Sequence, residues 1–125
     1  MLLQASECYY HPNDENECLT VGFRTEDDQY FLLSRCIHPT EQDRRLGLDG
    51  IHLELNDQRY SCYDGIRSVS VMPTCIRFDL SEQGAGALQT QFIEITHDLP
   101  PERSHQMRLI LGEMFTGFQR YADLG

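Results

Sequence analysis

The sequence predicts an α+β fold: a mostly antiparallel β-meander sheet packed on one C-terminal amphipathic α-helix, in a single domain spanning residues 1–125. Three observations predict it. Over the first three quarters of the chain, apolar residues recur at every second position. Near residue 100 the period changes to the 3, 4 spacing of a helix face. The length, 125 residues, is enough for one core that buries roughly two thirds of the unfolded surface.

The strands follow in order. Leu2 to Tyr10 carries a faint alternation, and Cys18 to Arg24 a clear one, with Leu19, Val21 and Phe23 on one face. Tyr30 to Ile37 has apolar residues on both phases, as expected of a central strand or one covered on both sides. Ile51 to Asn56, Ile66 to Met72, Ile76 to Leu80 and Ile93 to Thr96 complete the set. Clusters of turn-forming residues separate them at 11–16, 25–28, 56–57, 64–65, 72–74 and 81–86. Asp98-Leu99-Pro100-Pro101-Glu102 reads as a helix start, with proline in the first turn and an acid near the positive end of the helix dipole. Met107, Ile110, Leu111, Met114, Phe115, Phe118, Tyr121 and Ala122 then share one helical face. Gly112 and Gly117 each cost roughly 1 kcal/mol inside a helix, so packing on the sheet must hold it.

Composition bounds the function. Apolar residues at 40% and charged residues at 24% exclude disordered and collagen-like classes. No apolar run approaches the roughly 20 residues of a spanning helix, so no membrane partner is expected. Met1 to Glu7 has neither a basic region nor a sustained apolar one, which argues against a secretory signal and places the protein in the cytoplasm. Twenty acids oppose ten arginines, with no lysine, for a net charge of −10. That charge repels phosphates, excluding nucleic acid as a direct partner and favouring a basic protein. The acids cluster in loops: Asp14 and Glu15, then Glu26, Asp27 and Asp28, then Glu41 and Asp43. These seven are the candidate binding residues. In a meander, alternate loops share one end of the sheet, which would gather some of them into a patch.

No catalytic residue, metal site or cofactor is assigned. The five cysteines form an odd set without Cys-x-x-Cys spacing, which argues against a disulfide framework or a structural zinc site and for small buried hydrophobes. The histidines are scattered singly. Cys62 is the one candidate nucleophile; it would need a histidine within hydrogen-bond reach, supplied by His52 or His97.

The segment from Asp49 to Leu80, DGIHLELNDQRYSCYDGIRSVSVMPTCIRFDL, carries a pattern at Glu54, Asn56, Gln58, Ser61, Tyr63, Gly65 and Ile66. A strand ends in an acid or amide plus glutamine, a Ser-x-Tyr-x-Gly-Ile turn follows, and further strands lead to a C-terminal helix. With Val21-Gly22-Phe23 and Met114-Phe115, it resembles the bacterial polymorphic-toxin immunity proteins of the immunity protein 10 type. The resemblance implies a small cytoplasmic α+β protein, without catalysis, that binds and neutralises a cognate toxin domain by stoichiometric occlusion. Many such toxins are basic nucleases, which suits the acidic charge. In this reading Glu54, Asn56, Gln58, Ser61, Tyr63 and Gly65 are structural, and the segment is a turn linking two strands. Two alternatives stand beside it: a hydrolase or transferase using Cys62, and a homodimer joined through an uncovered sheet edge.

Overall fold

The computed structural model describes residues 1–11, 18–36, 39–47 and 50–125. Ten strands and three helices follow in the order β1 (Leu2–Gln4), β2 (Glu7–His11), β3 (Cys18–Arg24), β4 (Tyr30–Cys36), α1 (Glu41–Arg45), β5 (His52–Leu55), β6 (Asp57–Tyr63), β7 (Ile66–Met72), β8 (Cys75–Leu80), α2 (Glu82–Leu88), β9 (Phe92–Thr96), α3 (Pro101–Met114) and β10 (Tyr121–Asp123). The α+β class, the antiparallel bias and the C-terminal helix are as the sequence predicts. The strands divide into two five-stranded sheets rather than one. The first is the meander β2-β3-β4-β5-β6, antiparallel throughout. The second has the order β1-β9-β8-β7-β10, with its two edge strands parallel to their neighbours.

The alternation that marks each strand explains why the sheets stack. Leu19, Val21 and Phe23 of β3 pair with Arg35, Leu33 and Phe31 of β4, so these pairs share the inner face. Ile76, Phe78 and Leu80 of β8 supply the opposing face, and the rings of Phe31 and Phe78 meet edge to face with centroids 5.3 Å apart. Each fully buried ring contributes roughly 1.5–3 kcal/mol relative to exposure. The chain crosses between sheets at two corners. At the first, the Ala5 amide donates to the Thr96 carbonyl of one sheet and the Ser6 amide to the Arg24 carbonyl of the other, both at 2.8 Å. At the second, Asp64 and Gly65 carry β6 into β7.

Helix α3 closes the space between the sheets. Its buried residues Ser104, Met107, Ile110, Leu111 and Met114 form one face. Tyr10 donates to Gln106 at 2.8 Å, and Arg35 donates to the Met114 carbonyl at 2.6 Å. Tyr10 pairs with Val21 and Arg35 with Leu19, so both lie on the inner face and the helix sits on that side. The outer face of the meander is left to Tyr9, Gly22, Leu32, His52, Glu54 and Tyr63.

The helix ends earlier than the sequence predicts. Gly117, at φ +84°, lies beyond it and turns the chain. Phe118 and Tyr121 therefore leave the helix, yet both rings still pack on Phe115 with centroids 5.4 Å apart. Residues 81–86, read as a turn, instead supply the cap and most of α2, with the Ser81 hydroxyl accepting from the Gly84 amide at 3.1 Å. The five cysteines are half-buried rather than buried, and none is in a disulfide.

Candidate partner-binding surface

The β3–β4 connection begins as a sequence with one requirement, a tight reversal, and Thr25 meets it. Its amide donates to the Gln29 carbonyl at 2.8 Å, and its hydroxyl accepts from the Gln29 amide at 3.1 Å and donates to the Asp27 carboxylate. Asp28 takes φ +64°, a conformation that aspartate tolerates better than most residues. Its carboxylate pairs with Arg24, but both side chains are largely exposed, so the pair adds little stability.

This turn meets the Gln4–Ser6 corner and the Thr96–Asp98 connection around an open groove of about 730 Å³. Glu26, Asp27 and Asp98 line it, as do Gln4, Ser6 and His97. His97 is 7% exposed, and its Nδ1 accepts from the Leu99 amide at 3.3 Å. Burial first, then the positive charge of Arg108, lowers its pKa, against an opposing pull from Asp98. Three carboxylates on an open concavity can receive cationic side chains. No cysteine lines the groove, and the Ser6 hydroxyl is spent on the Arg24 carbonyl at 3.2 Å.

The other predicted acids lie elsewhere. Glu41 and Asp43 belong to α1, where Asp43 and Thr40 bond each other's amides at 2.9 and 3.0 Å in a capping box, and Glu41 pairs with Arg45 at 3.2 Å. That helix follows the end of the meander marked by the Cys18–Cys36 pair, six residues along each strand from Arg24 and Tyr30. Six steps span about 20 Å, so the two acidic groups occupy opposite ends. Asp14 and Glu15 lie outside the described residues. The stretch 98–102 leads into the helix as expected, with Pro100 as cap, Pro101 first and Glu102 in the first turn, and Asp98, which is not among the predicted binding acids, lines the groove with Glu26 and Asp27.

The motif around Tyr63 is an edge strand, β6, rather than a turn between strands. Glu54 accepts from the Tyr30 hydroxyl at 2.7 Å, which, with burial, pushes that phenol up to about 12. Asn56, at φ +64°, accepts from the Tyr30 amide at 2.8 Å where the β5–β6 register shifts. Ser61 donates to the Gln58 carbonyl at 2.6 Å, and the Tyr63 ring lies 4.9 Å from that of His52. Gly65 is buried, with the Cys62 sulfur and Gly84 against it. Cys62 pairs with Leu53 on the inner face, whereas His52 pairs with Tyr63 on the outer, so this histidine cannot serve it as a base. Burial and then Asp64 push the Cys62 thiol up, away from thiolate.

The α+β domain carries a carboxylate-lined groove, and among the described residues no group of three or more His, Cys, Asp or Glu is placed to hold a metal. Nor is any described helix long and apolar enough to cross a membrane. The sequence profile of the family described as Immunity protein 10 matches residues 4–105, and the chain belongs to that family. Membership makes it an immunity protein, a class that binds a cognate toxin and is in general not enzymatic. Comparison with curated protein sequences gives no match.

Proposed function

We propose that this immunity protein neutralises its toxin by stoichiometric occlusion in the bacterial cytoplasm, presenting the groove at the β3–β4 turn to a basic surface of the toxin. The observation that carries the reading is the convergence of Glu26, Asp27 and Asp98 on one open concavity in a chain of net charge −10. A toxin that acts on a polyanion such as nucleic acid carries positive charge where its substrate binds. Carboxylates set against that surface speed encounter and exclude the substrate at once. Exposed charges Asp57 and Arg59 guard the start of the β6 edge, which disfavours edge-to-edge self-pairing and favours a heterodimer.

Co-expression with the toxin domain encoded beside it tests the proposal. Growth is expected to recover, and the two chains to copurify at equal stoichiometry. Rescue without a complex would overturn occlusion, because protection would then come from chemistry on the toxin or its target.

A further inference from the structure

Five thiols are distributed over the two sheets, and their cross-strand neighbours set one pair apart. Cys8 faces Phe23, Cys62 faces Leu53, and Cys75 lies between Met72 and Thr96. Cys18 faces Cys36, with the two sulfurs 3.2 Å apart. The hydrogen-bond pattern decides what that facing allows. The Thr25 amide donates to the Gln29 carbonyl, so 25/29 is a hydrogen-bonded pair, and the alternation of an antiparallel ladder makes 23/31, 21/33 and 19/35 the next ones. Cys18/Cys36 therefore falls on a non-hydrogen-bonded position. There the side chains stand closest, with Cα atoms about 4.5 Å apart, at the short end of the range that a disulfide bridges. Both residues are half-buried and lie on the outer face of the meander, opposite the side taken by α3.

We propose that Cys18 and Cys36 form a reversible redox site, a dithiol that a peroxide converts to a cross-strand disulfide. One thiolate attacks the O–O bond of hydrogen peroxide, giving a sulfenic acid and one water once the leaving hydroxide is protonated. The second sulfur displaces hydroxide from the sulfenic sulfur, forming the S–S bond and, with its own proton, a second water. Two thiols lose two electrons, and one peroxide gains them. A dithiol reductant reverses the step through a mixed disulfide. A pair that faces directly within the permitted range can close and reopen without backbone movement, which suits a switch. Burial pushes the Cys8 thiol up to about 11 and raises Cys62 and Cys75 as well, which disfavours thiolate at those three positions. The ring closed by the bond runs from Cys18 to Cys36, 36 − 18 + 1 = 19 residues, and contains the whole β3–β4 hairpin with its acidic turn. Closing a ring of that size lowers the unfolded-to-folded ratio on the order of a hundredfold.

The experiment treats the full chain with hydrogen peroxide, alkylates the remaining thiols and maps the linked peptides by mass spectrometry. A Cys18–Cys36 link is expected to form before any other product, with loss of two hydrogens, a higher melting temperature and full reversal by dithiothreitol. Cys18→Ser and Cys36→Ser should each abolish the link and the thermal shift, whereas Cys62→Ser should keep both. Links spread over several cysteines, intermolecular dimers as the first product, or oxidation no faster than at Cys62 would overturn the proposal. The mapping on the unsubstituted chain decides the matter even if a serine variant fails to fold.

Discussion

His97 lines the acidic groove and is buried, at 7% exposed. Its ordinary pKa is 6.5, and burial, aided by Arg108, lowers it in the folded protein. The unfolded chain therefore binds the proton more readily, and protonation favours unfolding. The stabilising contribution is complete above about pH 6.5 and is lost as pH falls through that value toward the lower folded pKa. Asparagine at this position keeps an acceptor for the Leu99 amide but cannot titrate. We expect His97→Asn to flatten the loss of stability between about pH 7.5 and pH 5, read from urea midpoints at each pH. Parallel curves for the two proteins would assign the acid response to the carboxylates instead. No sequence pattern announces this histidine, because it lies in the connection between β9 and α3, where its amide donates to the distant Thr74 carbonyl at 3.0 Å.

Between elements, α2 comes close to the backbone of the corner after β6. A Cβ on Gly84 would stand 2.1 Å from the Gly65 carbonyl oxygen, and one on Gly86, two residues along the same helix, would meet nothing within 4 Å. Gly84→Ala should therefore cost about 2–3 kcal/mol by forcing α2 off the sheet, whereas Gly86→Ala should stabilise by about 0.5–1 kcal/mol through helix propensity. Thermal or denaturant unfolding of the two variants checks the contrast, and equal effects would refute the close packing. The same contact explains why α2 is illegible in the sequence: Glu-Gln-Gly-Ala-Gly-Ala-Leu is a poor helix by propensity and exists because packing holds it. Strands β3, β5, β8 and β9 are legible because each has one buried face and one polar face, which is what a two-residue period records. Strand β6 is not, since its first three residues are exposed and its edge position asks little of its side chains. Strand β10 escapes too, because its parallel pairing with β7 depends on residues some fifty positions away. The helical spacing of Phe118 and Tyr121 is real but comes from packing on Phe115 after the helix has ended.

For the molecule as a whole, net charge is legible and its placement is not. Twenty acids can be counted in the sequence, but two corners between sheets decide that Asp98 joins Glu26 and Asp27 while Glu41 goes to the far end. That division makes the proposed interface testable by charge alone. Asp28 pairs with Arg24 and Asp43 closes a helix cap; Asp27 accepts from the Thr25 hydroxyl and Glu41 has an exposed pair with Arg45, so reversing either of these two gives up one local contact, while Glu26 lines the groove. The double substitution Glu26→Lys with Asp27→Lys should slow association with the toxin about tenfold or more at low salt and weaken its dependence on ionic strength, since steering scales with the charge facing the partner. Glu41→Lys changes net charge by the same amount per residue but lies about 20 Å away, beyond a Debye length at physiological salt, and should leave the rate nearly unchanged there. Stopped-flow association across a salt series separates the two. Equal slowing by both would mean that the toxin responds to overall charge, and slowing by Glu41→Lys alone would move the interface to the opposite end of the meander.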